Sequence, residues 1–247
     1  MSEVIVITGG SRGIGAACAE LLADSGKTLV INYVSNAEAA DAVVAKVKVL
    51  GGNAVAVQGD VASESDILNL FQEADKLGTL VGLVNNAGVV DHAQPVTEMS
   101  YQRLQRMMNI NVVGAITCAR EAAKRMSTKL GGKGGAIVNL SSAAARLGAP
   151  NNYVDYAASK GAIDVFTTGL SLELADAGVR VTAIRPGVID TDIHASGGQP
   201  DRVAELRDSL PMKREGTAKE VAEAIVWLMS DKASYVTNTI IDVSGGR

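Results

Sequence analysis

The stretch Val4-Ile5-Val6-Ile7-Thr8-Gly9-Gly10-Ser11-Arg12-Gly13-Ile14-Gly15 decides the fold. Four β-branched residues in succession read as a strand buried on both faces, because a strand with one wet face would alternate apolar and polar residues. The glycines then force a tight turn, and Ile14 to Leu22 resumes with small and apolar residues at helical spacing. A glycine-rich turn in this place suits a phosphate. The backbone can approach closely, and the first N–H groups of the helix, with its dipole, face the anion. The spacing is G-x-x-x-G-x-G rather than G-x-G-x-x-G, and it meets the same needs. Such a turn alone is also compatible with a structural role; its position after the first strand and before an apolar helix argues for a nucleotide.

Outward from this turn, β-branched runs alternate with helical patterns. Strands are expected at Val4–Thr8, Thr28–Tyr33, Ala54–Gln58, Leu80–Asn85, Ala136–Leu140, Arg180–Arg185 and Thr239–Val243. Helices are expected at Gly13–Ser25, Ala37–Leu50, Glu64–Leu77, Tyr101–Met126, Tyr156–Ala175 and Ala218–Ser230. Alternation of this kind requires crossovers, and crossovers make a parallel sheet with helices on both faces. The reading is an α/β, doubly wound Rossmann fold with a seven-stranded parallel sheet, in one domain over residues 1–247. A (β/α)8 barrel is short of strands. The irregular stretch Gly187–Glu215 follows a strand's carboxyl end and reads as either a substrate lid or a surface excursion with one short helix.

Composition excludes several functions. A net charge of −4, from 23 basic and 27 acidic side chains, with no basic stripe, gives no reason to expect nucleic acid. Lys124–Lys133 reads as a solvated helix end. Cys18 and Cys118 lie in apolar helical patterns and read as buried free thiols of a reducing compartment. No apolar run approaches the ~20 residues of a membrane span, and no leader precedes Val4, so a cytoplasmic location is expected. The only histidines, His92 and His194, sit in no ligand pattern, so no metal is expected.

The choice of nicotinamide is argued from charge. An NAD site places an acid at the end of the second strand to hold the ribose 2′-hydroxyl. Here that strand runs Asn32-Tyr33-Val34-Ser35-Asn36 with no acid. Arg12, alone equally readable as a surface charge, faces a 2′-phosphate with help from Ser35 and Asn36. NADP is expected, and NAD less so.

Tyr156 and Lys160 stand i, i+4 at the start of a helix and share a face. A free phenol, with its pKa near about 10, exchanges protons poorly at neutrality, and a neighbouring ammonium favours the phenolate. The pair thus makes an acid–base catalyst. Tyr153 has Ala157 four residues on and lacks the partner. Ser141 and Ser142 close the fifth strand at the sheet's carboxyl edge; one suits an oxyanion donor and the other a turn or cap. Asn85-Asn86-Ala87-Gly88 ends the fourth strand and suits a cofactor wall. Asn111 lies within a helical pattern, where Asn is intrinsically unfavourable, as an inward amide able to hold a water or as a surface residue.

Taken together, in this order, these residues resemble the short-chain dehydrogenase/reductase superfamily in its compact form. The motifs are Thr8–Gly15, Asp60-Val61, Asn85–Gly88, Asn111, Ser142, Tyr156-Ala157-Ala158-Ser159-Lys160, Pro186-Gly187 with Thr191, and Gly245-Gly246. The resemblance implies Tyr156 as acid/base, Ser142 polarising the substrate oxygen, Lys160 holding the nicotinamide ribose, and Asn111 supporting a proton-relaying water. It also implies cofactor contacts from Gly9, Ser11, Arg12, Gly13, Ile14, Gly15, Tyr33, Asp60, Val61, Asn86, Ala87, Gly88, Pro186, Gly187, Val188, Ile189 and Thr191, with Tyr153 at the substrate pocket.

Ser142 precedes Tyr156 by 14 residues, one more than in many relatives, so the loop through Pro150-Asn151-Asn152 is expected to bulge. Ser244 replaces a commoner acid before the terminal glycine pair. The expected activity is NADP-dependent hydride transfer between nicotinamide and a small carbonyl or alcohol, in a homotetramer by resemblance. Glucose- or polyol-type substrates, a 3-oxoacyl-carrier-protein reductase meeting its acidic carrier through Lys124, Arg125 and Lys129, and a non-catalytic dinucleotide sensor are the alternatives.

Overall fold

The computed structural model describes residues 2–191, 197–199 and 201–247. Its strands are β1 (Glu3–Ile7), β2 (Thr28–Tyr33), β3 (Asn53–Gln58), β4 (Thr79–Asn85), β5 (Gly135–Leu140), β6 (Val179–Pro186), β7 (Ile189–Asp190), β8 (Gly216–Thr217) and β9 (Thr239–Val243). The main helices are α1 (Gly13–Leu21), α2 (Ala37–Val49), α3 (Glu64–Leu77), α4 (Tyr101–Met108), α5 (Ala115–Met126), α6 (Ala144–Leu147), α7 (Val154–Leu174), α8 (Arg202–Leu206) and α9 (Ala218–Met229).

Seven strands form one parallel sheet in the order β3-β2-β1-β4-β5-β6-β9. The doubly wound Rossmann architecture expected from the sequence is the one observed. Successive side chains of β1 point to opposite faces. Ile5 and Ile7 join Cys18, Ala19, Val47, Val221 and Ile225 on the side of α1, α2 and α9. Val4 and Val6 join Ile67, Phe71, Cys118 and Ala122 on the side of α3 and α5, where Phe166 and Leu170 of α7 also pack. Each such large side chain, fully buried, contributes about 1.5–3 kcal/mol of transfer free energy, which is why the apolar run of β1 needs two helical layers. Cys18 and Cys118 are buried and unbridged.

The chain runs outward from β1 to β3, then returns to β4 on the other side of β1. That reversal opens a crevice at the carboxyl ends of β1 and β4, where open α/β sheets bind ligands. The segments Thr8–Gly15, Asn85–Gly88, Ser141-Ser142 and Pro186-Gly187 lie at the carboxyl ends of β1, β4, β5 and β6.

Two expectations are corrected. The first helix ends at Leu21 rather than Ser25, because Asp24-Ser25-Gly26 turns the chain, with Gly26 left-handed. The helix expected over Tyr101–Met126 is interrupted: Asn109–Gly114 forms a π-helical turn between α4 and α5. Such insertions concentrate at functional sites, and this one carries Asn111. In the stretch expected as a lid, β7 pairs with β8 at its base and α8 is its one described α-helix; Asp192–Ser196 and Pro200, with His194 among them, lie outside the described residues.

Candidate active site

The turn after β1 is held by its neighbours. Gly9 is left-handed at φ +60°, and a Cβ there would stand 3.0 Å from Ala87 Cα. A Cβ on Gly15 would meet the Gly9 carbonyl at 2.6 Å, so the helix can lie this close to the turn only without a side chain. Asn32, buried at the end of β2, donates from Nδ2 to the Gly59 carbonyl (2.8 Å) and accepts from the Gly9 amide (3.3 Å). Thr8 Oγ1 accepts from the amides of Asn86 (2.9 Å) and Ala87 (3.0 Å), and Asn86 Nδ2 donates back to the Thr8 and Gly9 carbonyls. The turn is fixed before any ligand arrives.

Helices α2, α3, α4 and α9 are each capped by a side chain, from Asn36, Ser63, Ser100 and Thr217. Helix α1 has none: Arg12 at its N-cap makes no capping hydrogen bond. The first-turn amides are therefore open toward the cleft, which fits a pyrophosphate.

That cleft has a volume of about 870 Å³. The expected site residues Gly9, Ser11, Arg12, Gly13, Ile14, Tyr33, Ser35, Asn36, Asp60, Val61, Asn86, Ala87, Gly88, Ser142, Tyr156, Lys160, Pro186, Gly187, Val188, Ile189 and Thr191 all line it. Gly15 and Asn111 do not; both stand behind the wall. Arg12, Ser35 and Asn36 are exposed at one end of the cleft. Asn36 Oδ1 accepts from the Ala39 amide (2.9 Å), so its amide NH2 is the group that remains to face a ligand. Asp60 shares that end, but its Oδ1 accepts from Ala62 within its own turn (2.8 Å).

At the other end stand the catalytic candidates. Tyr156 lies in the first turn of α7 and keeps part of its surface open to the cleft. Ser142 follows β5; its Oγ accepts from the Ala144 amide (3.1 Å), and its side chain lines the cleft with Tyr156. Ser141 instead turns inward and donates to the Lys160 carbonyl (3.2 Å). The two serines thus divide the roles, with Ser142 at the phenol. Between them and Tyr156 the loop bulges through left-handed Ala149 and Asn151.

Lys160 is buried, and its Nζ donates to the Leu140 carbonyl (2.6 Å) and lies 5.6 Å from the Tyr156 ring centroid. Burial pulls its pKa down to about 8, partly opposed by Asp164. Burial also pushes the Tyr156 phenol up, against the Ser142 hydrogen bond. The Lys160 ammonium is expected from the sequence to lower the phenol; burial instead leaves it raised. Desolvation disfavours both charges, and at Tyr156 it favours the protonated phenol.

Asn111 is buried as an inward amide. It donates to the Val89 carbonyl (2.9 Å) and Ser159 Oγ (3.2 Å), and accepts from the Val89 amide (2.8 Å). The position a Cβ on Gly88 would take lies 3.3 Å from Asn111 Oδ1 and 3.4 Å from Lys160 Nζ, so both polar groups border one small space.

Several site residues were not legible in the sequence. Arg103 and Asp155 form a buried, bidentate ion pair (2.7 and 3.1 Å) that ties α4 to the first turn of α7, and Arg103 Nη1 holds the His92 carbonyl (2.6 Å). Asn85, expected with Asn86 at the cofactor wall, is instead buried and forms with Asn139 and Thr167 a chain of hydrogen bonds across β4, β5 and α7. Tyr153 lines the cleft as expected, with Arg202 over its ring at 4.9 Å. Of the basic residues expected to meet a carrier, Lys124 pairs with Glu121, Arg125 with Asp75 and Glu121, and Lys129 with Asp176.

Comparison with known proteins agrees with this geometry. The family described as enoyl-(acyl carrier protein) reductase matches residues 9–247. The chain is 51% identical to the Escherichia coli protein named uncharacterized oxidoreductase YgfF, over 99% of both chains. It is 38% identical to glucose 1-dehydrogenase 2 of Bacillus subtilis, covering 99% of this chain and 94% of that protein. A short-chain dehydrogenase from Burkholderia cenocepacia, solved in complex with NADP, superposes with a TM-score of 0.89 at 32% identity, covering 98% of this chain and 96% of that one. The ordered motifs, the sheet and these relatives lead to one assignment: the chain belongs to the short-chain dehydrogenase/reductase superfamily and is an oxidoreductase.

Proposed function

We propose that this protein is an NADP-dependent carbonyl reductase/alcohol dehydrogenase, with residues 1–247 working as one domain. The observation that carries the reading is the convergence of Tyr156, Ser142 and Lys160 at one end of the cleft whose other end holds the uncapped α1 turn and Arg12. Residues Gly9 to Gly15 would hold the pyrophosphate, Arg12, Ser35 and Asn36 the 2′-phosphate, and Lys160 the nicotinamide ribose. When bound, the nicotinamide supplies or accepts the hydride at the substrate carbon.

The chain's own part is the proton. In reduction Tyr156 Oη gives its proton to the substrate oxygen, while the Ser142 hydroxyl donates to that oxygen as negative charge develops on it. The protonated phenol favoured by burial is the form that reduction requires. Lys160, once charged, steadies the phenolate left behind. Asn111 Oδ1 and Lys160 Nζ both stand beside Gly88, and a water bridging them would let Lys160 exchange protons.

Titration calorimetry with NADPH and NADH, followed by NADPH oxidation against neutral aldehydes and ketones, tests this. Tighter NADPH binding and turnover on at least one carbonyl are expected. NADPH binding without turnover on any carbonyl would favour the sensor, and a preference for NADH would overturn the role of Arg12.

A further inference from the structure

The cleft lining carries five cationic side chains, Arg12, Arg106, Lys160, Arg202 and Arg247, and two acids, Asp60 and Asp91. Three of the cations have work already. Arg12 stands at the far end, Lys160 serves Tyr156, and Arg106 pairs with Asp91 at 3.4 Å. Arg202 and Arg247 are left, on the wall beyond Tyr153, and among the described residues neither meets a carboxylate side chain.

The partners they do have are neutral. Arg202 Nη1 donates to Gln199 Oε1 (2.7 Å) and Asn152 Oδ1 (3.4 Å), with its guanidinium over the Tyr153 ring. Tyr153 Oη donates to the same Gln199 oxygen, so that acceptor is shared. The main-chain oxygen of Arg247 accepts from Arg146 (3.0 Å) and Ser244 (2.9 Å), while its side chain faces the cleft. Burial and the nearby Arg202 charge both push the Arg247 guanidinium down from its ordinary range. Two like charges on the wall of one cleft are unfavourable unless an anion joins them.

From this arrangement we infer that the substrate of the proposed reaction carries an oxyanion group, a carboxylate or a phosphate, bound between Arg202 and Arg247 while its carbonyl lies at Tyr156. The guanidinium fork matches either group. Arg202 lies over the ring of Tyr153, which precedes Tyr156 by three residues at the start of α7, and all three line one cleft, so a short molecule is the fit for an anion and a carbonyl held there together. Leu147, Pro150 and Leu206 line the same region and suit the few carbons between them. The chemistry of the step is unchanged: the carbonyl carbon gains a hydride with its electron pair, and its oxygen takes the Tyr156 proton. The inference rests on the reductase reading for its reaction but not for its binding site.

The test pairs anionic and neutral carbonyls of similar size: 3-oxobutanoate with methyl 3-oxobutanoate, and dihydroxyacetone phosphate with dihydroxyacetone. Each is titrated calorimetrically into the NADP-loaded protein and assayed with NADPH. The anion of at least one pair should bind at least ten-fold tighter than its neutral partner, and which pair does so separates carboxylate from phosphate. Arg202→Gln and Arg247→Gln should each reduce the anion-to-neutral ratio of kcat/KM at least ten-fold, Arg202→Lys should recover part of it, and added salt should lower it. Equal binding of anion and neutral partner in both pairs, or variants that leave the ratio unmoved, would overturn the inference. Arginine-dependent binding of the anion with no turnover of any carbonyl would uphold the site while overturning the reductase reading.

Discussion

Lys160 and Tyr156 show how burial acts on single groups. The ammonium, pulled down to about 8, is charged below that pH and neutral above it. The steadying of the phenolate is therefore present at neutrality and fades as pH rises. In reduction, kcat/KM should fall as pH passes upward through about 8, because that ratio reports ionisations of the free enzyme. Lys160→Arg keeps its charge throughout and should lose that inflection, even if its absolute rate is lower; a wild-type profile flat from neutrality to well above this point would contradict the assignment. At the other end of the cleft, Arg12→Ala should weaken NADPH binding by about ten-fold or more, the scale of one charge-assisted contact of about 1.5–3 kcal/mol, and change NADH binding little. Competition titration with both cofactors reads the difference.

Among the elements, α7 is aligned by a contact no local pattern reveals. Arg103 and Asp155 are 52 residues apart, and their pairing is set by the crossing of α4 over the start of α7. Removing one partner strands a buried charge, which typically costs about 3–5 kcal/mol. Arg103→Met should lower the melting temperature by several degrees and free the His92 carbonyl that the guanidinium holds; thermal denaturation of the variant measures it.

The strands were readable because their β-branched runs are buried on both faces, and the turn after β1 because glycines punctuate it. The π-helical turn was not, since Met107 and Asn111 keep the same i, i+4 spacing that a continuous helix shows. Asn32 was noticed only as the absence of an acid, yet its side chain braces the phosphate turn. The catalytic trio was legible as motif, whereas the balance of desolvation against charge at Tyr156 depends on depth, which spacing does not encode.

For the whole molecule, the layered fold places a preformed cleft on the edge where β1 and β4 part. Binding there should stabilise the chain through mass action, by about 2.7 kcal/mol at a ligand concentration 100 times Kd. Val165 and Leu172 of α7, with Val113 and Ile116 beside the start of α5, are exposed apolar side chains. The tetramer implied by the family resemblance would cover them. Light scattering should give a mass near a four-fold multiple of 25.5 kDa, reduced by Val165→Asp or Leu172→Asp; a wild-type monomer would count against that assembly.

The proposed mechanism turns on the Tyr156 hydroxyl as the group that exchanges the substrate proton. Single-turnover reduction of a carbonyl that the wild type accepts, followed by NADPH absorbance with saturating NADPH in wild type and Tyr156→Phe, tests it most directly. A loss of about 100-fold to 10,000-fold in the chemical step is expected for Tyr156→Phe, with NADPH affinity retained. Equal rates in the two proteins would contradict it.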